Sequence, residues 1–156
     1  LVLLRHAIAE DLNQVPVGAD TVPTDFERRL TLEGRAKLRR VVRHFARCMP
    51  APDVLFSSPL VRARQTAAVA GRILDVPVQL CDELRPGGQA YGWLRGLSEE
   101  HLMLVGHEPD LACLAAQFLG LDSPVFSLKK SGLACLEGVP GHGQLGWLLT
   151  PRWLID

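Results

Sequence analysis

Four short apolar runs punctuate the first two thirds of the chain: Leu1 to Leu4, Val54 to Phe56, Val76 to Leu80 and Leu102 to Val105. Continuous rather than alternating hydrophobicity predicts strands covered on both faces, as in a largely parallel sheet. Between them the apolar positions fall at helical spacing. From Leu32 onward, Leu38, Val41, Val42, Phe45 and Met49 recur at steps of three and four, with Thr31 placed to cap the start and Pro50 beyond the end. Arg35, Arg39, Arg40, Arg43 and Arg47 fall largely on the opposite side, as a solvated face or a docking surface for an acidic partner. A second helix is predicted from Pro59, behind Ser57-Ser58, to about Leu74, with Ala63, Ala67, Ala70, Ile73 and Leu74 inward. A third follows Pro109 and runs through Leu111, Leu114, Ala115 and Phe118 to a stop near Gly120.

After Ser123-Pro124 the pattern changes. Ser127 to Leu136 and Leu145 to Leu149 predict two strands around the Gly-rich turn Gly138 to Gly143, a hairpin added to the sheet edge. The stretch from Asp11 to Glu27 contains Pro16, Gly18 and Pro23 and has no period, which predicts a loop over the site. The expected architecture is α/β: a mostly parallel sheet flanked by helices and closed by a hairpin.

Composition narrows this reading. At 156 residues the chain has room for one sizeable core, so residues 1–156 are expected to form a single domain. With 47% hydrophobic and 22% charged residues, disordered and fibrous classes are excluded. Seventeen Lys plus Arg cancel 17 Asp plus Glu, which leaves no net field to hold nucleic acid or an anionic membrane. No apolar run approaches the roughly 20 residues that span a bilayer. Arg5 and His6 close the first apolar run too early for a signal peptide, so a cytoplasmic location is the default expectation. Cys48, Cys81, Cys113 and Cys135 form no CxxC pair and read as reduced, mostly buried thiols.

In an open α/β sheet, ligands bind where the carboxyl ends of strands meet the following helices. Three such junctions carry unusual residues: Arg5-His6-Ala7, then Ser57-Ser58-Pro59-Leu60-Val61-Arg62-Ala63, then Gly106-His107-Glu108-Pro109. Each alone has a bland reading, since Arg62 suits a solvated helix face and His107 a structural turn. If the strands are neighbours, however, two histidines and two arginines meet in one pocket. The planar fork of arginine suits phosphoryl oxygens, and an imidazole near neutral pH serves as nucleophile or hydrogen-bond donor. Together they point to phosphoryl transfer.

Leu3-Leu4-Arg5-His6-Ala7 resembles the RHG signature of the histidine phosphatase superfamily, with Ala7 in place of glycine. The segment from Ser57 to Ala67 resembles its SxxxRAxxTA motif, and Val105 to Pro109 its second-histidine segment. Within the superfamily, Arg28 to Gly34 and Glu83 to Gly88 resemble the SixA-like protein phosphohistidine phosphatases. The resemblance implies a phosphoglycerate mutase-like three-layer sandwich, without a cofactor or a metal. It further implies that His6 attacks phosphorus, that Arg5 and Arg62 clamp nonbridging oxygens, and that His107 donates a hydrogen bond. Arg28 and Ser57 would contribute to substrate binding.

One departure bears on the substrate. The phosphoglycerate mutase branch places an acid glutamate two residues after a leucine, whereas here Leu84 is followed at that distance by Pro86. Glu83 and Glu108 are the remaining candidate acids. An alkoxide leaving group needs a delivered proton, while the imidazole of a phosphohistidine takes one from water, its other nitrogen titrating near about 6.5. The expected substrate is therefore a phosphohistidine-bearing protein. The alternatives are a small phosphorylated substrate and a catalytically silent phosphate-binding module.

Overall fold

The computed structural model describes residues 1–14 and 24–153. A six-stranded sheet is built from β1 (Val2–Arg5), β2 (Val54–Ser57), β3 (Val78–Leu80), β4 (Leu102–Gly106), β5 (Leu133–Glu137) and β6 (Gln144–Leu149). Its spatial order is β3-β2-β4-β1-β5-β6. The first four of these are mutually parallel, and β5 and β6 add antiparallel on the β1 side as the expected hairpin. Among the described residues the α-helices are α1 (Leu32–Cys48), α2 (Val61–Leu74), α3 (Ala90–Leu94) and α4 (Asp110–Leu119).

Successive strand residues point to opposite faces, and each face has its own core. Leu4, Leu55, Met103 and Leu133 pack with Leu38, Val41 and Phe45 of α1 and Ala63, Ala67 and Ala70 of α2. Leu3, Phe56, Leu104 and Leu136 pack on the other face with Leu111, Leu114 and Phe118 of α4 and Leu94 of α3. This is a three-layer sandwich. The small side chains of α2 let it lie close to the sheet, so its first turn stands over the carboxyl ends of β2 and β4.

The α1 start is tied directly to the chain leaving β1. The Thr31 hydroxyl accepts the Gly34 amide at 2.9 Å, and the Thr31 amide donates to the Ile8 carbonyl at 3.0 Å. Gly34 is required by that approach, because a Cβ there would stand 2.2 Å from the Ile8 carbonyl oxygen.

The structure departs from the sequence expectations at several points. Val76 to Leu80 was expected to be covered on both faces, yet β3 is an edge strand with Val78 and Leu80 exposed, because only β2 flanks it. The strand predicted from Ser127 begins only at Leu133, since the backbone from Leu128 to Gly132 is bonded across the end of β1 instead. The helix predicted from Pro59 begins at Val61. Cys81 and Cys135 are buried, but Cys48 and Cys113 are exposed, so the thiols are not mostly buried. The loop predicted over Asp11 to Glu27 lies partly outside the described residues; within them, Leu12–Gln14 and Asp25–Glu27 are single 3-10 turns. No helix among the described residues is long and apolar enough to cross a membrane.

Replacing Gly34 by Ala should lower the unfolding free energy by about 2 kcal/mol, the overpacking cost exceeding the gain in helix propensity. Urea denaturation of the variant checks this. An unchanged midpoint would mean that the Ile8 loop yields without cost.

Candidate active site

Because β4 lies between β1 and β2, with Arg5 opposite Gly106 and Ser57 opposite Val105, the three chemistry-bearing junctions leave the sheet side by side. The His6 amide donates to the Gly106 carbonyl at 3.1 Å and the Ser58 amide to the Val105 carbonyl at 3.0 Å, which extends the ladder one residue into each junction. The Thr66 hydroxyl on α2 accepts the Ala7 amide at 3.0 Å and donates to the Arg62 carbonyl at 2.7 Å. The chain after His6 is thereby locked to the helix that carries Arg62.

His6 and His107 are each 3% exposed, with ring centroids 5.1 Å apart. Nδ1 of His6 lies 2.8 Å from its neighbour's carbonyl, the Ala7 oxygen, which requires a proton on Nδ1. Nε2 therefore keeps its lone pair. Two donors approach that lone pair: Arg62 Nε and Lys130 Nζ, each at 3.3 Å. His107 Nε2 meets the Ser58 hydroxyl at 2.8 Å.

Burial first, and then the Lys130 charge, push His6 down to about 2; His107 falls to about 4 through burial and Arg62. Both rings are neutral at physiological pH, which suits a nucleophile and a neutral hydrogen-bonding partner. Around them stand fixed cations. The Arg62 guanidinium, 7% exposed, donates to the Asp25 backbone oxygen at 2.6 Å and to its carboxylate at 3.1 Å. Arg28 reaches the same carboxylate at 3.1 Å and the Glu10 carbonyl at 2.6 Å. Arg5 donates to the Leu128 carbonyl at 2.7 Å and leaves its buried Nε without a partner.

Arg5, His6, Arg62 and His107, the residues of the three junctions, thus lie together, and Arg28, expected only from the family resemblance, reaches them through Asp25. Ser57 does not join them: its hydroxyl donates to the Ser58 carbonyl at 2.9 Å, and it is Ser58 that touches His107. Glu83 lies on a 3-10 turn, Asp82–Leu84, beside Cys81, whose thiol donates to it at 3.2 Å. Its own backbone amide and that thiol hold the Glu83 carboxyl below the usual range, while burial raises the carboxyl of Glu108. Asp25, Lys130 and Ser131 were not singled out from the sequence. Asp25 sits in a segment read as an aperiodic loop and Lys130 in one read as strand, and a serine, here Ser131 at φ 59°, carries no residue-type signal for such a turn.

Buried polar atoms are almost always paired in native proteins. Among the described residues, those lacking a partner are Arg5 Nε, His107 Nδ1, Glu108 Oε1 and Ser131 Oγ, all from the residues around these junctions, together with Trp147 Nε1. A polar, cation-rich pocket with spare donors suits an oxyanion. No group of three or more His, Cys, Asp or Glu among the described residues could hold a metal ion.

The sequence model of the histidine phosphatase superfamily (branch 1) matches residues 1–110. The chain belongs to that superfamily and is a phosphatase. It is 31% identical over 169 residues to an uncharacterised protein of Picosynechococcus sp., covering 99% of this chain and 98% of that one. A solved structure from Agrobacterium tumefaciens, assigned as the phosphohistidine phosphatase SixA, is 26% identical with a TM-score of 0.75 over 96% of both chains. The protein histidine phosphatase SixA complexed with tungstate shares the fold at 24% identity and a TM-score of 0.81, covering 98% of this chain and 97% of that one.

The two neutral histidines link the site to stability. Their folded pKa values lie below the unfolded value near 6.5, so the unfolded state binds more protons and stability falls as pH drops from about 6.5 toward 4. Each ring should cost roughly 1.4 kcal/mol per pH unit within that window. Urea unfolding at pH 6 and pH 4.5 should show the loss, and His6→Asn should remove about half of this slope. An unaltered slope in that variant would mean that His6 is already protonated in the fold.

Proposed function

We propose that the protein removes a phosphoryl group through a covalent intermediate on His6, and that its substrate is phosphohistidine carried by another protein. The observation that carries the first part is the state of Nε2: buried, with its lone pair fixed outward by the Nδ1 bond to Ala7 and with Arg62 against it. In the first step Nε2 bonds to phosphorus while the bond to the leaving atom breaks, its electron pair departing with the leaving group. In the second, water attacks phosphorus, phosphate is released and His6 recovers its lone pair. Charge spread over the equatorial oxygens is met by Arg62 and Arg5, with His107 as a further hydrogen-bond partner, so catalysis rests on positioning and preorganised donors.

The substrate reading rests on proton supply. Glu83 is held ionised, Asp25 is held below the usual carboxylate range with both arginines on it, and Pro86 stands where the superfamily's acid glutamate would be expected. A histidine leaving group tolerates that lack, because its imidazole is protonated by solvent near neutral pH. The likeness to SixA structures supports the same substrate. A second reading, a small phosphate ester, is favoured by one observation: burial raises the Glu108 carboxyl toward the range in which it could deliver a proton.

Three measurements follow. His6→Ala should abolish turnover, and a denaturing quench at alkaline pH, where the N–P bond survives, should trap labelled phosphate on wild-type His6. Arg62→Lys should lose about 10²-fold in kcat/KM, since a point charge cannot reproduce a forked pair of hydrogen bonds; a loss under about threefold would return Arg62 to a structural role. A leaving-group series should show a steep dependence, with phosphohistidine peptide and activated aryl phosphates turned over and alkyl phosphates poor. A flat wild-type dependence that steepens in Glu108→Gln would make Glu108 the acid and favour the ester.

A further inference from the structure

We propose that Lys130 is a further cation of the phosphoryl clamp, moving from the His6 lone pair onto a nonbridging oxygen as substrate enters. The inference rests on the reading of His6 as nucleophile and adds a residue to that site. Its first support is geometric. Lys130 Nζ and Arg62 Nε both stand 3.3 Å from His6 Nε2, which carries one lone pair. Both contacts exceed the usual 2.7–3.2 Å range, as expected when two donors share one acceptor, so each is weak and cheap to redirect. A phosphoryl group brings three charged acceptors to the same place. Transfer of both donors to its oxygens strengthens their bonds and uncovers the lone pair that must attack.

The second support is the way the backbone delivers this lysine. Ser131, at φ 59°, donates its amide toward the Arg5 carbonyl at 3.2 Å and the His6 carbonyl at 3.3 Å. The Arg5 amide donates to the Gly132 carbonyl at 3.1 Å, and the Arg5 guanidinium to the Leu128 carbonyl at 2.7 Å. The turn holding Lys130 is therefore pinned on both sides to Arg5 and to the backbone of His6. Its neighbour Lys129 is exposed, while Lys130 is partly covered.

The charged and titratable groups around Lys130 are Arg5 and His6 at the end of β1, Asp25 and Arg28 in the loop before α1, Arg62 on α2 and His107 after β4. Burial and then the arginines lower the Lys130 ammonium to about 8, whereas the two histidines titrate far below, at about 2 and about 4. Throughout transfer Lys130 keeps its proton and only donates a hydrogen bond. The function it supplies is lost as pH rises through about 8.

The test compares wild type, Lys130→Met, Lys130→Arg and the control Lys129→Met on p-nitrophenyl phosphate, with tungstate as the oxyanion probe and thermal melting to verify folding. Lys130→Met should lower kcat/KM on the order of 10²-fold and weaken tungstate inhibition about tenfold or more, comparable to loss of one preorganised oxyanion donor. Lys130→Arg should recover most of both, and Lys129→Met should match wild type. Wild-type kcat/KM should fall above pH 8, and that limb should be absent in Lys130→Arg. Activity and tungstate inhibition within about threefold of wild type in a folded Lys130→Met variant would overturn the proposal. So would a loss that Arg does not restore in a variant keeping the alkaline limb. Trapping of the phosphoryl group on His6 in the same wild-type preparation separates these outcomes from failure of the nucleophile reading, which would show as no trapped label.

Discussion

The insertion of β4 between β1 and β2 is the constraint on which the site depends. Arg5-His6, Ser57-Ser58 and Gly106-His107 are separated by some fifty residues at each step, yet parallel pairing in matched register puts their strand ends in one row. A shift of one residue in either ladder would turn the side chains of that strand to the opposite face. The register is specified because both faces are buried: Leu3, Phe56 and Leu104 belong to one core and Leu4, Leu55 and Met103 to the other. Core packing and active-site alignment are therefore the same requirement.

Gathering positive charge beside two histidines carries a cost, and the structure meets it in two ways. The rings stay neutral, so they do not add to the repulsion. Asp25 spans Arg28 and Arg62 with one carboxylate at 3.1 Å from each, while the rest of the field is left for an anion to neutralise. Spare polar atoms on Arg5, His107 and Ser131 fit the same division of labour: the apolar core holds the frame, and the unpaired polar atoms stand at the strand ends.

Lys130 shows how an irregular segment contributes to such a pocket. Ser127 to Gly132 reads in the sequence as the start of a strand although Leu128 is its one large apolar side chain, and its backbone groups are claimed by the end of β1. Hydrogen bonds from Arg5 and to the Arg5 and His6 carbonyls compete with sheet pairing, and sheet pairing resumes only at Leu133. Such competition between local ladders and long-range bonds leaves no trace in hydrophobic period. For the exposed β3 the signal was present: Pro77 and Gln79 interrupt the apolar residues of Val76 to Leu80 and suit the edge position the strand takes.

What was legible in the sequence was what short-range pattern encodes. Apolar runs marked β1 to β4, helical spacing marked α1, α2 and α4, and the strand-to-helix junctions marked Arg5 and His6 at the end of β1, Arg62 in the first turn of α2 and His107 after β4. These signals are local because side-chain periodicity and the strand-to-helix junction each span only a few residues. The tertiary structure alone decided that Ser58 rather than Ser57 meets His107, that Asp25 ties two arginines together, and that Lys130 reaches the His6 lone pair. Each of those contacts joins residues at least 37 positions apart in the chain, apart from the Asp25–Arg28 pair, and is set by strand order and backbone hydrogen bonding. No periodicity in the sequence records either.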